Sequence, residues 1–143
     1  MQSCLSLLPI GIVRDKIIPF TYCPQPTVLL EDLRSYHLTT ARAKALYREK
    51  WPAELWDEDG ITDLDWLSND ICRFLNNDRP TAFGFMDFYK NVFKRLYKNR
   101  DRPLDKVSLP CLFNDSYSDI KVSIGLMTID ERRLLETFLG VGL

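Results

Sequence analysis

Between residues 63 and 75 the chain reads DLDWLSNDICRFL, and Leu64, Leu67, Ile71 and Leu75 recur there at three-to-four spacing. That period lays them along one face of an amphipathic helix. Thr62, immediately upstream, supplies the side-chain oxygen that helix N-caps favour. The stretch from 83 to 102, FGFMDFYKNVFKRLYKNRDR, carries a second helical period. At about 100° per residue, Phe85, Phe88, Tyr89, Val92, Phe93, Leu96 and Tyr97 share one half of the wheel; Asp87, Lys90, Asn91, Lys94, Arg95 and Lys98 share the other. A wide apolar face opposite a polar one marks a helix packed on a core. The pattern therefore predicts a helix over 82–99, capped by Thr81, that buries Phe88, Val92, Phe93 and Leu96.

The other periodicities divide between helix and strand. VLLEDLRSYHL (28–38) and ARAKALYREKW (41–51) read as two helices, with Thr39 and Thr40 as cap candidates between them. Pro52 breaks the second, and Asp59-Gly60 marks a turn. IGIVRDKIIPFTY (10–22) places β-branched runs on either side of Arg14-Asp15-Lys16 and predicts a short hairpin, with Pro19 favouring a sheet edge. KVSLPCLF (106–113) and DIKVSIGLM (119–127) flank a turn at Asn114–Ser118. Ile120, Val122 and Ile124 alternate with polar neighbours, the period of a half-buried strand. Thr128-Ile-Asp-Glu131 forms a capping box, and the helix it opens, IDERRLLETFL, stops at Gly140, a natural left-handed cap. The expected fold is α+β: about five helices, mostly central, with a short N-terminal hairpin and a C-terminal strand pair followed by a final helix. With no repeat, linker or low-complexity tract, residues 1–143 read as a single globular domain.

Composition narrows the class. The chain is 45% hydrophobic and 27% charged, the balance of a globular domain large enough to bury a core. Its net charge of −1 gives no overall bias toward nucleic acid or anionic membrane, so charge-driven binding must come from a local patch. Cys4, Cys23, Cys72 and Cys111 are scattered, with no close pair, and read as reduced thiols rather than a disulfide framework or a zinc site. The short apolar opening LSLLPIGIV is interrupted by Pro9 and has no basic residue before it, unlike a secretory signal. No apolar run approaches the roughly 20 residues of a membrane span. A soluble, cytoplasmic protein is expected.

Two local patches stand out. From Lys90 to Arg102 there are six basic residues (Lys90, Lys94, Arg95, Lys98, Arg100, Arg102) and one acid, Asp101. Such a strip suits phosphates or an acidic partner. As a solvated face, it should accept reversal of Lys94, Arg95 and Lys98 to glutamate with stability unchanged within about 1 kcal/mol. Between Glu54 and Asp70 lie seven acids, Glu54, Asp57, Glu58, Asp59, Asp63, Asp65 and Asp70, without lysine or arginine, and Trp51, Trp56 and Trp66 bracket them. Aligning Gly60 with the glycine of a calcium loop puts Leu55 and Trp66 at ligand positions, which fails that motif.

Catalytic signatures are missing. The one histidine, His37, has no nucleophile motif to serve, and neither GxGxxG nor GxxxxGK[ST] occurs. No catalytic residue, cofactor or metal is expected. The reading is a small non-enzymatic interaction protein (an adaptor, inhibitor or accessory subunit) whose partner is another protein. Its expected surfaces are the basic strip and an acidic, tryptophan-containing one formed by Trp56, Asp57, Glu58, Asp59 and Asp63. The alternative is a nucleic-acid-binding module using the basic face 90–102, and a second alternative is a carboxylate-dependent enzyme.

Overall fold

The computed structural model describes residues 10–17, 25–51, 62–107 and 116–140. Every regular element among them is helical, which overturns the expected α+β class. Five helices of eight residues or more are described: α1 (Thr27–Lys50), α2 (Asp63–Leu75), α3 (Asp87–Lys94), α4 (Ser116–Leu126) and α5 (Ile129–Leu139). The chain divides into two compact units, Met1–Glu31 and Asp32–Leu143. In the first, the described part of the expected hairpin is a helical turn at Ile10–Ile12 and a π-turn at Val13–Ile17, and residues 18–22 lie outside the described residues. A lone two-stranded hairpin is marginal in water, and no described strand exists to extend it. Helical turns instead satisfy that backbone locally.

The second unit is a bundle centred on α2, which packs on α3, α4 and α5. Leu67, Ile71 and Leu75 lie fully buried as their spacing demands, and Leu64 packs at the edge of the core. Thr62 caps α2 through the expected oxygen: Asp65 N–H donates to Thr62 Oγ1, and Asp65 Oδ2 accepts from the Thr62 amide at 2.7 Å. The Thr128–Glu131 box opens α5 in the same way, and Gly140 closes it with φ 77. Ala43 and Tyr47 of α1 complete one side of the core.

Three boundaries differ from expectation. Thr39 and Thr40 do not separate two helices, because α1 runs through both. No glycine or proline stands there to break the helix, and the Thr39 hydroxyl donates to Glu136 Oε1 at 2.6 Å instead of capping. The anticipated second strand of the C-terminal pair is α4; of the first, Lys106 lies in a 3₁₀ turn and residues 108–113 lie outside the described residues. Ile120 and Ile124 satisfy a period of two and of four alike. The discriminating positions are Val122, which is 39% exposed, and Ser123 and Met127, both 2%. Burial at 120, 123, 124 and 127 is the helical set.

The expected helix over 82–99 is three shorter pieces: a 3₁₀ turn at Thr81–Phe83, α3, and a 3₁₀ turn at Tyr97–Asn99. Gly84, at φ 97, takes a conformation that side-chain-bearing residues avoid, and it separates the first piece from α3. Thr81 therefore does not cap the long helix; Met86 occupies the N-cap of α3. At the other end Asn99 Nδ2 donates to the Phe93 carbonyl at 3.0 Å. A side-chain amide that satisfies a terminal carbonyl offers the backbone an alternative to another helical turn.

Two arginines finish α4. Arg132 Nε donates to Ile124 O at 2.9 Å and Arg95 Nη1 to Leu126 O at 2.7 Å. The carbonyls that a helix C-terminus leaves without partners are thus taken by cations, which also complement the helix dipole.

Candidate functional site

A groove of about 560 Å³ is lined by Phe74, Asn77, Asp78, Phe88, Leu134, Thr137 and Phe138. α2 contributes Phe74, α3 contributes Phe88, and α5 contributes Leu134, Thr137 and Phe138. The Phe74 ring meets Phe88 edge-on and Phe138 at a tilt, both at 5.6 Å between centroids. These are ordinary favourable aromatic geometries. Leu134 is 60% exposed and Phe138 40%, so an apolar ridge of residues four apart stands open to solvent. The end of the groove is polar and shaped. Asn77 and Asp78 adopt φ 53 and 58, and Asp78 is held by an ion pair with Arg73.

The loop beside the groove is fixed by Asn76, which is fully buried. Its Nδ2 donates to Arg79 O at 2.8 Å and to Gly84 O at 3.1 Å, while its Oδ1 accepts from the Met86 amide at 2.7 Å. One side chain thus closes the turn between α2 and α3.

Sequence reasoning did not anticipate this groove, yet a signal for it exists. Each of its four apolar residues directly precedes a buried core residue: Phe74 before Leu75, Phe88 before Tyr89, Leu134 before Leu135, Phe138 before Leu139. A helical neighbour is rotated by about 100°, so a doubled apolar position widens the hydrophobic arc beyond what the core covers.

The basic strip is divided by the structure. Lys90 Nζ lies 3.8 Å from Asp87 Oδ1. Arg95 is committed to the interior architecture: both of its terminal nitrogens bond Glu131, one at 2.8 Å, besides the Leu126 carbonyl. Burial alone would raise the Glu131 carboxyl, but Arg95 and the Thr128 amide outweigh it and hold the group below its usual value. Lys94, Lys98, Arg100 and Arg102 have no ion-pair partner among the described residues. The expectation of a neutral triple reversal therefore changes. Arg95→Glu should cost about 1–2 kcal/mol in urea unfolding, reduced from the value for a buried charged hydrogen bond by partial exposure. Lys98→Glu should stay within about 0.5 kcal/mol. Equal effects would remove the assignment of Arg95 to α4.

Of the acidic, tryptophan-containing surface, Trp56, Asp57, Glu58 and Asp59 lie outside the described residues. Asp63 is largely buried and stands 3.9 Å from Arg48. Asp65 accepts from Ser116 Oγ and from Thr62, which together hold its carboxyl below the usual range. Asp70 accepts from Tyr47 and from Arg73. The burial of Tyr47, followed by its bond to Asp70, raises the phenol well above its ordinary value. Among the described residues these acids pair with Arg48 and Arg73, whereas the basic strip pairs with Asp87 and Glu131. Trp51 and Trp66 stack face to face at 5.1 Å with 11° between planes, both partly exposed.

A smaller pocket of about 350 Å³ has Cys72, Arg73 and Arg79 in its wall. Burial pushes the Cys72 thiol up to about 11, so it stays protonated at neutral pH and is a poor nucleophile. Cys4, Cys23 and Cys111 lie outside the described residues, and Cys72 is unbridged. His37 sits on the exposed side of α1. Among the described residues no three histidine, cysteine or acidic side chains are grouped to hold a metal ion, and no helix is long and apolar enough to cross a membrane.

The described residues are thus all-helical in their regular elements and carry an open aromatic groove. No family model matches the chain, and neither a curated protein nor a solved structure matches it.

Proposed function

We propose that the protein is an interaction module, and that its groove receives an amphipathic helix of a partner protein. The observation that carries this reading is the apolar ridge of Leu134 and Phe138 above a floor of Phe74 and Phe88, bounded by Asn77, Asp78 and Thr137. An apolar centre with a polar rim is the anatomy of protein interfaces, and residues four apart on a helix present the ridge that a second helix packs against. Among the described lining residues the only carboxylate, Asp78, is already paired with Arg73, which leaves the groove better suited to contact than to acid–base chemistry.

The test places a photo-crosslinking amino acid at Thr137 of the full chain and maps the crosslinked peptides recovered from host extract. A synthetic peptide of the captured segment should be helical when bound. Leu134→Glu with Phe138→Glu should weaken it about ten- to thirtyfold or more, as loss of a central contact does, with the melting temperature kept. Crosslinks to a second copy of this chain, or a peptide that binds the double variant equally well, would overturn the reading.

A further inference from the structure

Tyr97, which is 88% exposed, lies four positions beyond Phe93, which is fully buried. In one continuous helix the two rings would share a face. The break after Lys94 instead turns Tyr97 outward, next to Lys98 and within five residues of Arg100 and Arg102. We infer that the segment Lys94–Arg102 contacts single-stranded nucleic acid, with Tyr97 as a platform for a base and Lys98, Arg100 and Arg102 as phosphate contacts.

Three observations support it. The first is the ring. On a continuous helix the aromatics and the cations would lie on opposite faces, and base stacking needs them together in space. The 3₁₀ turn at Tyr97–Asn99 turns one aromatic out to solvent, where Lys98, Arg100 and Arg102 are exposed as well.

The second is charge. From Lys94 to Lys106 the acids are Asp101 and Asp105; of the cations Arg95 is paired with Glu131, and Lys94, Lys98, Arg100, Arg102 and Lys106 have no ion-pair partner among the described residues. A chain of net charge −1 thus concentrates uncommitted positive charge on one segment.

The third is rigidity. Asn99 is fully buried and bonds Phe93 O through its side chain. The amides of Asn99, Arg100 and Arg102 close successive turns onto Leu96, Tyr97 and Asn99 carbonyls at 2.8, 3.3 and 3.0 Å. Such a preformed segment loses little conformational freedom on binding.

The ring also decides between partners. An acidic peptide would use the cations and leave an exposed aromatic face idle, whereas an anionic membrane, whose interface also takes tyrosine rings, is separated by the vesicle competition below. In a duplex the base faces are already stacked. An unpaired strand offers both phosphates and free base faces.

The experiment measures anisotropy of a fluorescein-labelled oligothymidylate of about 20 nucleotides, long enough for any single site of this kind, against the full chain. Three or four phosphate contacts give a log–log salt slope of about −2 to −3, a loss of about twenty- to fiftyfold in affinity between 50 and 200 mM salt. Tyr97→Ala should weaken binding about five- to a hundredfold, and Tyr97→Phe, which keeps the ring face, should bind as the wild type does. Combined Lys98→Glu, Arg100→Glu and Arg102→Glu should remove binding while the circular dichroism spectrum is unchanged. No measurable binding at low salt would overturn the inference. So would an unchanged affinity for Tyr97→Ala, equal affinity for a duplex of the same length, or equal competition by polyglutamate or phosphatidylserine vesicles at matched charge.

Discussion

Arg132→Ala lowers stability by about 3–5 kcal/mol, the cost of removing one member of a buried charged network, against a typical total of about 5–15 kcal/mol. Arg132 is 1% exposed although it carries a full charge. It is tolerated there because each of its nitrogens has an acceptor. Nε bonds Ile124 O, Nη1 bonds both the carbonyl and a carboxylate oxygen of Asp32, at 2.9 and 2.7 Å, and Nη2 reaches Gly125 O at 3.5 Å. The Tyr36 ring lies 5.8 Å from the guanidinium carbon, close enough for a cation–π contribution. One side chain therefore joins α1, α4 and α5. Truncation leaves a cavity and strips the end of α4 of an acceptor's partner. Asp32 itself, 42% exposed at its side chain, regains water. Asp32→Asn, which keeps the acceptor oxygen, should accordingly cost under about 1 kcal/mol. Arg132→Lys should not restore the loss, because an ammonium cannot serve a planar fork of acceptors. Urea unfolding with an unchanged m-value measures all three; a loss under about 1 kcal/mol for Arg132→Ala would mean that the arginine does not hold these elements together.

What the sequence discloses and what it conceals follow from the range of the interactions involved. The two capping boxes and the Gly140 cap depend on residues three or four apart and are readable directly. So is the α2 core stripe, where Asn69 and Arg73 break the alternation of a strand and Leu64 fits only the helical spacing with Leu67, Ile71 and Leu75. Thr39 misleads because its hydroxyl finds Glu136, 97 residues away, and a cap signal is only local. α4 misleads because its two isoleucines fit either period and the deciding residue, Ser123, is polar; contact with α2 settles the matter. The end of α3 depends on an asparagine six residues beyond the carbonyl that it satisfies. Arg95 looks like one cation in a solvated strip until Glu131 and Leu126 arrive from other helices. The groove is the more instructive omission. Its doubled apolar positions are visible in the sequence, but a pattern reading assigns every apolar residue to the core and asks no question of the surplus. Tyr97, which the wheel places with the apolar face, is the one aromatic of that set that the broken helix turns out to solvent.

Phe93→Ala should cost about 3–5 kcal/mol, the range for truncating a fully buried aromatic. Its ring is closed in by Tyr89, stacked at 4.9 Å with 20° between planes, and by the core around Val92. The carbonyl of the same residue receives Asn99, so a backbone shift that filled the cavity would disturb the turn beyond it. Incomplete relaxation of that kind places a truncation toward the upper part of the range. Phe138→Ala, in the open groove, removes a ring that is 40% exposed and should cost less than half as much. Tyr97→Ala is the sharper comparison. A continuous helix over 82–99 would put positions 93 and 97 about 40° apart on one face, and the two substitutions would then cost similar amounts. With the helix ended at Lys94, Tyr97→Ala should stay within about 0.5 kcal/mol, as exposed substitutions do. The difference between two alanine variants in urea unfolding therefore reads the backbone between them. A large loss at both positions would restore the continuous helix, return Tyr97 to the core, and take the stacking platform with it.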